Sequence, residues 1–168
     1  LAPMGSLRDG QMMALSDPNP HRLRSQFLEE ARTLARLDLA GVLPVRATFV
    51  ENGTAYYATD YVQGSRSLQE VLDGEGPMDV DGALDIFFQL LETLDAMHSK
   101  RILHRDIKPS NILIEPSGRA VLIDFGAARE WHADSSHSQT VLFTPGYAPL
   151  EQLAERAARG PGTDLYAL

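Results

Sequence analysis

Two short polar stretches of this sequence carry side chains suited to metal-assisted chemistry. The first reads His-Arg-Asp-Ile-Lys-Pro-Ser-Asn over residues 104–111, and the second reads Asp-Phe-Gly over residues 124–126. The amide of Asn111 and the carboxylate of Asp124 offer the oxygen ligands that Mg²⁺ prefers, and such sites usually complete the coordination of the metal with substrate phosphates. These residue types therefore favour a magnesium site that handles a phosphorylated substrate.

A carboxylate and an ammonium group lie close together inside the first stretch. Asp106 is suited to hold an acceptor hydroxyl, while Lys108 offsets the negative charge of a phosphoryl group. Phosphoryl transfer depends mainly on such positioning and charge neutralisation, because the protein has little covalent chemistry to do. The pair therefore predicts phosphoryl transfer to a hydroxyl.

A hairpin is predicted to bring the two stretches together. Strands are expected at Asn111–Ile114 and Ala120–Ile123, because residues 116–118 between them read Pro-Ser-Gly, a turn signal. Asn111 enters the first strand and Asp124 follows the second. Because the strands of a hairpin are antiparallel, both side chains should fall at the same end.

Helices and one further hairpin are predicted upstream. Helical spacing of apolar residues predicts a helix from about residue 22 to Asp38, and a second from about Val80 to His98 that is apolar on more than one face and so typical of a buried helix. Strands are predicted at Val45–Val50 and Ala55–Val62, since Asn-Gly between them is a strong hairpin signal. This order favours an α+β fold over alternating βαβ units.

Composition narrows the classes of function. The chain has 168 residues, a net charge of −8 and no cysteine, which excludes disulfides and thiolate metal sites. An acidic chain is a poor candidate for phosphate-driven binding of nucleic acid, so no nucleic-acid partner is expected. No apolar run of membrane-spanning length and no leader is seen, so we expect a cytoplasmic segment, with any membrane anchor lying outside it.

Acidic residues concentrate in the second part of the chain. Residues 63–168 hold 16 acidic and 9 basic residues, and the stretch from Ser67 to Ser99 holds eight acids and neither Lys nor Arg. Two interpretations stay open. The acids form either a solvated face that keeps the protein soluble or a surface that attracts basic substrates.

The two polar stretches together resemble the catalytic loop and the magnesium loop of the protein kinases. The sequence Gly-Tyr-Ala-Pro-Leu-Glu-Gln over residues 146–152 is similar to the corresponding sequence of bacterial serine/threonine protein kinases. The resemblance implies ATP as cofactor, Mg²⁺ as metal with Mn²⁺ as a substitute, and a protein as substrate. The resemblance also implies that the protein could phosphorylate itself.

By this resemblance, residues of the two loops have assigned roles. Asp106 would be the catalytic base that orients the substrate hydroxyl, and Lys108 would contact the transferred phosphate. Asn111, a further residue of the catalytic loop, and Asp124 would bind Mg²⁺. Lys108 at this place is typical of the serine/threonine class. Asp164 resembles the aspartate that braces the backbone of the catalytic loop.

The resemblance also assigns residues to the nucleotide site. Glu30 resembles the glutamate of a regulatory helix that pairs with an ATP-contacting lysine, with Glu29 as the alternative. Thr59 resembles the residue that guards the back pocket, and the backbone of residues 60–62 resembles the hinge that meets adenine. Leu113 resembles the residue beneath the adenine ring, although it is equally a core strand position. The implied nucleotide-site residues are Glu30, Thr59, Asp60, Val62, Leu113 and Asp124.

The segment after Asp-Phe-Gly resembles an activation segment. We hypothesise that phosphate on Ser138 or Thr140 orders it through a charge-assisted contact with Arg105. The alternative is a polar loop that carries no regulatory phosphate. Thr144 instead resembles the threonine that contacts the catalytic Asp and Lys. Glu151 lies near the end of the segment. The resemblance gives it a structural role, and it gives Arg105 and Asp164 structural roles as well.

Two features of the family are missing from the first part of the chain. No Gly-x-Gly-x-x-Gly loop occurs there, and no Lys precedes Lys100. We therefore expect both features upstream of Leu1 and expect the chain alone to be inactive. The chain is interpreted as a partial two-lobe kinase fold, with residues 1–62 from the N-lobe and residues 63–168 from the first part of the helical C-lobe.

Two alternative functions are considered. A pseudokinase would keep the fold as a binding or scaffold module, but it has no chemical need for Asp106, Lys108, Asn111 and Asp124 together. A small-molecule kinase of the aminoglycoside or choline type shares the fold. Its loop usually reads His-x-Asp without the Arg and Lys seen here.

Overall fold

The structure is a computed structural model that describes residues 7–8, 11–12, 27–28, 35, 39–52, 54–124, 129–130, 144, 146–153 and 160–168. The chain divides into two compact units. The first comprises residues 1–38 and 44–60, and the second comprises residues 39–43 and 61–168. Both loops that carry the candidate chemistry belong to the second unit.

The first unit contains two antiparallel strand pairs. Strands β1 (Leu7–Arg8) and β2 (Gln11–Met12) form the first pair, and β3 (Val45–Glu51) and β4 (Thr54–Thr59) form the second. The second pair confirms the predicted hairpin. Asn52 has a φ of 50° in its turn, a left-handed conformation that Asn tolerates well.

The second strand of this hairpin is shorter than predicted. It was expected to reach Val62, but β4 ends at Thr59. Thr59 pairs with Val45, the first residue of β3, so the residues that follow have no partner on that strand. Of the predicted helix between residues 22 and 38, the structure describes Phe27, Leu28 and Ala35, all helical, and the rest lies outside the described residues.

The second unit contains two consecutive helices. Helix α1 (Leu68–Glu75) was not predicted, although its capping box is visible in the sequence: Ser67 accepts from the Glu70 N–H, and the Glu70 carboxylate accepts from the Ser67 N–H. Helix α2 (Val80–Ser99) matches the predicted helix, and Asp79 caps it by accepting from Gly82 N–H at 2.7 Å. Caps of this kind satisfy the free N–H groups of the first turn.

The second unit also contains a small sheet. Strands β5 (Arg66–Ser67), β7 (Ile112–Ile114) and β8 (Ala120–Leu122) form a three-stranded antiparallel sheet in the order β5-β7-β8. Strands β6 (Ile102–Leu103) and β9 (Arg129–Glu130) form a separate pair. A short 3₁₀ helix (Pro109–Asn111) leads into β7. The predicted hairpin at 111–123 is therefore present as β7 and β8.

Two short helices end the second unit as the structure describes it, α3 (Leu150–Leu153) and α4 (Pro161–Ala167). The buried core of the unit gathers on one face of α2 and on the strands beneath it. Its fully buried apolar side chains include Leu90, Leu94, Met97, Leu103, Ile107 and Leu122.

Helix α2 is not buried on all its apolar faces. Val80 and Phe88 expose 72% and 57% of their surface, and Leu84 and Phe87 are also exposed. Val80, Leu84 and Phe87 border an open apolar groove of about 510 Å³ between α1, the first half of α2 and the loop before β7. The sequence-based expectation of a buried helix therefore holds for its C-terminal half, where Leu90, Leu94 and Met97 pack.

Candidate active site

The first polar stretch forms a loop that lies between β6 and β7 and is held from α4. The buried carboxylate of Asp164 accepts the backbone N–H of His104 at 3.0 Å and that of Arg105 at 2.7 Å. His98, near the end of α2, contacts the same carboxylate through Nε2 at 2.8 Å. A single side chain of α4 thus fixes the entry to the loop.

The backbone of both polar stretches departs from ordinary strand or helix geometry. Arg105 has a φ of 67° and Asp124 a φ of 57°, both in the left-handed region. Non-glycine residues in this region cost roughly 1–3 kcal/mol each and persist where the surroundings fix them. At Arg105 the bond from its N–H to Asp164 supplies that constraint.

Asp106 lies at the centre of a cluster of donors. Its Oδ1 accepts from Thr144 Oγ1 at 2.6 Å, and its Oδ2 accepts from Asn111 Nδ2 at 2.9 Å and from the ammonium of Lys108. Lys108 Nζ also donates to Thr144 Oγ1 at 3.0 Å. The structure therefore brings three predicted site residues, Lys108, Asn111 and Thr144, within hydrogen-bond distance of Asp106.

The donors around Asp106 decide its charge. Burial alone would raise the pKa of the Asp106 carboxyl. Hydrogen bonds from Lys108, Thr144 and Asn111, together with the positive charge of Lys108, outweigh burial and lower the pKa below its ordinary value. The carboxylate is therefore ionised at neutral pH and ready to accept a hydrogen bond from a hydroxyl.

His104 connects the two loops as a neutral ring. Its Nδ1 accepts from the Asp106 N–H at 3.3 Å, and its Nε2 lies 3.2 Å from the carbonyl oxygen of Ile123, to which an Nε2–H donates. Desolvation lowers the pKa of this buried histidine, against the raising effect of Asp164, Asp106 and Asp124. A neutral ring with the proton on Nε2 satisfies both contacts.

Both backbone polar groups of Ile123, the residue before Asp124, are hydrogen-bonded. The N–H of Ile123 donates to the carbonyl oxygen of Asn111 at 2.9 Å, while the carbonyl of Ile123 faces His104. Because Asn111 itself makes this backbone bond and Asp124 directly follows its partner, both lie at one end of the β7–β8 hairpin. Sequence reasoning predicted this placement from the antiparallel order of the strands.

The residues at this end of the hairpin fit a magnesium ion. Asn111 uses its amide nitrogen for Asp106, and its amide oxygen accepts no hydrogen bond from the described residues. Within the described part of the chain, no group of three or more acidic or histidine side chains forms a metal cluster. An amide oxygen and one carboxylate are the sparse protein ligand set with which Mg²⁺ binds beside phosphates.

Gln89 of α2 supports the same hairpin at its other end. Its Oε1 accepts from the buried N–H of Ala120 at 2.9 Å, and its Nε2 lies 3.3 Å from the carbonyl of Gly118 as a donor. The side-chain amide of Gln89 thus pairs with a carbonyl group in the turn and with the N–H of Ala120, the first residue of β8. Sequence reasoning missed this residue and His98, and it gave His104 no role of its own, because a single polar residue beside an apolar helix or loop does not reveal its partner.

The remaining predicted residues have contacts of their own or lie outside the described part. Val62 accepts at its carbonyl from Ser65 Oγ at 2.8 Å in a turn, and Leu113 is half-buried opposite Val121. Glu151 of α3 accepts from Thr163 Oγ1 at 3.3 Å. Thr59 and Asp60 are exposed. Glu30, Ser138 and Thr140 lie outside the described residues.

Comparison with known proteins identifies the family. A model of the protein kinase domain matches residues 10–168 of this chain. The chain therefore belongs to the protein kinase family, and the α+β kinase-type fold predicted from its motifs is confirmed. No helix in the part of the chain that the structure describes is long and apolar enough to cross a membrane.

Curated relatives include several bacterial serine/threonine protein kinases. PknA of Nostoc sp. is 37% identical over 163 residues, which cover 91% of this chain and 28% of the relative. PknD of Chlamydia muridarum is 34% identical over 188 residues, covering 92% and 20%. PrkC of Bacillus subtilis is 31% identical over 151 residues, covering 89% and 23%. The resemblance to bacterial kinases is confirmed, and the chain spans 20–28% of the length of these three relatives.

Proposed function

We propose that this chain forms the catalytic part of a serine/threonine protein kinase, which transfers the γ-phosphoryl group of ATP to a hydroxyl of a protein substrate. The observation that carries the proposal is the cluster of Asp106, Lys108, Asn111 and Thr144. The relatives support it, because PknA, PknD and PrkC are each named serine/threonine-protein kinases.

Asp106 has room for the hydroxyl of a substrate. A carboxylate has about four acceptor positions, and three are used by donors from Lys108, Asn111 and Thr144. Among the residues that the structure describes, none donates to the fourth position, which is on Oδ1, and the side chain keeps 19% of its surface exposed. A substrate hydroxyl that donates there is oriented for attack and passes its proton to the carboxylate.

Lys108 and the loop end complete the proposed chemistry. The ammonium of Lys108 stabilises negative charge on the transferred phosphoryl group, and Thr144 holds both Lys108 and Asp106 in place. Asn111 and Asp124 would hold Mg²⁺, which neutralises phosphate charge when it is bound. ATP and Mg²⁺ are proposed on this donor set and on the usual chemistry of the family.

Two alternatives are less well supported. A scaffold module without turnover does not require an ionised Asp106 beside a bonded Lys108. A small-molecule kinase does not require Lys108, which here makes two of the contacts in the cluster. A regulatory phosphate on Ser138 or Thr140 stays a proposal that phosphosite mapping of the active protein tests directly.

The proposed function is tested with the full-length protein, radiolabelled ATP and Mg²⁺. We expect label on serine or threonine of a generic protein substrate and none on a panel of sugars and amino alcohols. Label on the small molecules would support the small-molecule alternative. Nucleotide binding with no transfer to any acceptor would support the pseudokinase alternative and overturn the proposal.

A further inference from the structure

A β-bulge interrupts the β3–β4 hairpin of the first unit. Val45 pairs with Thr59, but Ala47 pairs with Ala58, so two steps along β3 match a single step along β4. Arg46 is therefore the extra residue of the bulge. Bulges re-aim the side chain that they carry, and they often lie beside functional sites.

The side chain of Arg46 is directed at the residue that leaves the sheet. Its guanidinium donates to both carboxylate oxygens of Asp60 at 2.5 to 2.9 Å. The hydrogen bond from Arg46 is the largest cause of the lowered pKa of Asp60. A fork that donates to both oxygens fixes the direction of the carboxylate as well as its distance.

Asp60 begins the stretch that the family resemblance assigns to adenine. It follows Thr59, the last residue of β4, and precedes Tyr61, which exposes 89% of its surface. The carbonyl of Val62 is already engaged by Ser65 N–H and Oγ. The stretch from 60 to 62 thus has an ion pair at its start and a tight turn at its end.

We propose that Arg46 is a positioning residue for nucleotide binding, because its ion pair with Asp60 fixes the backbone where β4 ends before the nucleotide arrives. This inference rests on the proposed function. A backbone that is ordered in advance loses less conformational entropy when a ligand binds. The bulge explains why an arginine on β3 reaches a residue beyond the end of β4.

The exposure of Arg46 and Asp60 limits how much their ion pair can change nucleotide affinity. The side chains of Arg46 and Asp60 expose 62% and 48% of their surface, so solvent screens their attraction. Exposed pairs of this kind change an equilibrium constant by about 2- to 5-fold. High salt should reduce the effect further, since it screens exposed charges.

The test compares nucleotide affinity in variants of the full-length protein. Arg46→Met should raise the Kd for ADP about 2- to 5-fold in calorimetry and raise KM for ATP by the same factor, with kcat unchanged. Arg46→Lys keeps the charge but loses the fork, so it should restore part of the affinity. The matched control is Arg119→Met, which removes another exposed pair, Arg119 with Glu115 at 2.9 Å, and should leave the Kd unchanged.

Each outcome decides one question. If Arg46→Met lowers the unfolding temperature but binds ADP as the natural protein does, the pair is merely structural and the inference is overturned. If Arg46→Met and Arg119→Met weaken ADP binding equally, the effect is general and the inference is overturned. If the natural protein itself binds no ADP, the proposed function fails first.

Discussion

At the scale of single residues, Asp106 is central to the proposed chemistry, because it accepts from three donors and, within the described part of the chain, keeps an acceptor position on Oδ1. Replacing it with Asn keeps the shape but removes the charge and the proton acceptor. We expect Asp106→Asn to lower kcat about 10²- to 10⁴-fold. Nucleotide should still bind, which calorimetry with ADP and Mg²⁺ measures beside the peptide assay.

An exposed aspartate of α2 provides the matched control for this substitution. Asp95→Asn makes the same chemical change on the surface of the helix and should leave kcat within about a factor of two. Unchanged turnover in Asp106→Asn would remove the role of catalytic base from Asp106.

His104 predicts a specific pH dependence of stability. Its pKa in the folded protein lies below the ordinary value of 6.5, so the unfolded chain takes up the proton first as pH falls. The unfolded state then binds more protons, and stability decreases as pH drops below about 6.5, by at most about 1.4 kcal/mol per pH unit. Above that pH the contribution is constant.

The substitution His104→Gln isolates this effect. Gln is neutral at every pH, so the free energy of unfolding of the variant should fall less steeply between about pH 6.5 and about pH 5 than that of the natural protein. Urea denaturation at several pH values measures both curves. Parallel curves over this range would show that His104 titrates alike in the folded and unfolded states.

At the scale of elements, Gln89 ties α2 to the hairpin that carries the proposed magnesium ligands. Gln89→Leu leaves the buried N–H of Ala120 without its acceptor, which should lower the free energy of unfolding by about 1–3 kcal/mol. Gln69→Leu is the control, because it removes an exposed hydrogen bond to Asp73 and should change stability by less than about 0.5 kcal/mol. Urea denaturation compares the two, and equal losses would contradict the role of Gln89 as a tie between α2 and the hairpin.

Elements were predictable from the sequence where the signal was local. The helix at Val80–Ser99 and both hairpins follow from periodicity and turn residues. Helix α1 was missed because it is short, although Ser67 and Glu70 encode its cap. The placement of Asn111 near Asp124 was predictable from strand direction.

Contacts between distant parts of the chain were not predictable from local signals. The bonds from His98 and Gln89 depend on how α2 packs against α4 and the hairpin. The bulge at Arg46 depends on the register of two strands. For Thr144 and Asp164 the family resemblance, rather than spacing or periodicity, pointed to partners far away in the sequence.

At the scale of the whole molecule, charge distribution separates the two interpretations of the acidic stretch. All eight acids between Ser67 and Ser99 lie on exposed positions of α1, α2 and their connection. If they attract substrate, KM for a serine peptide flanked by Lys and Arg should rise about 3- to 10-fold between about 0.05 M and about 0.5 M NaCl. A peptide flanked by Asp and Glu should show no such rise. Equal salt dependence for both peptides would indicate a merely solvated face.

Asp164 is synthesised after the loop whose backbone it binds. The two amides that it binds lie 59 and 60 residues earlier in the chain. A ribosome that adds about 5–20 residues per second needs about 3 to 12 seconds to make that interval. Until α4 emerges, the left-handed turn at Arg105 lacks the acceptor that holds it. We therefore expect the loop to reach the conformation described here only after the segment that carries Asp164 has been translated.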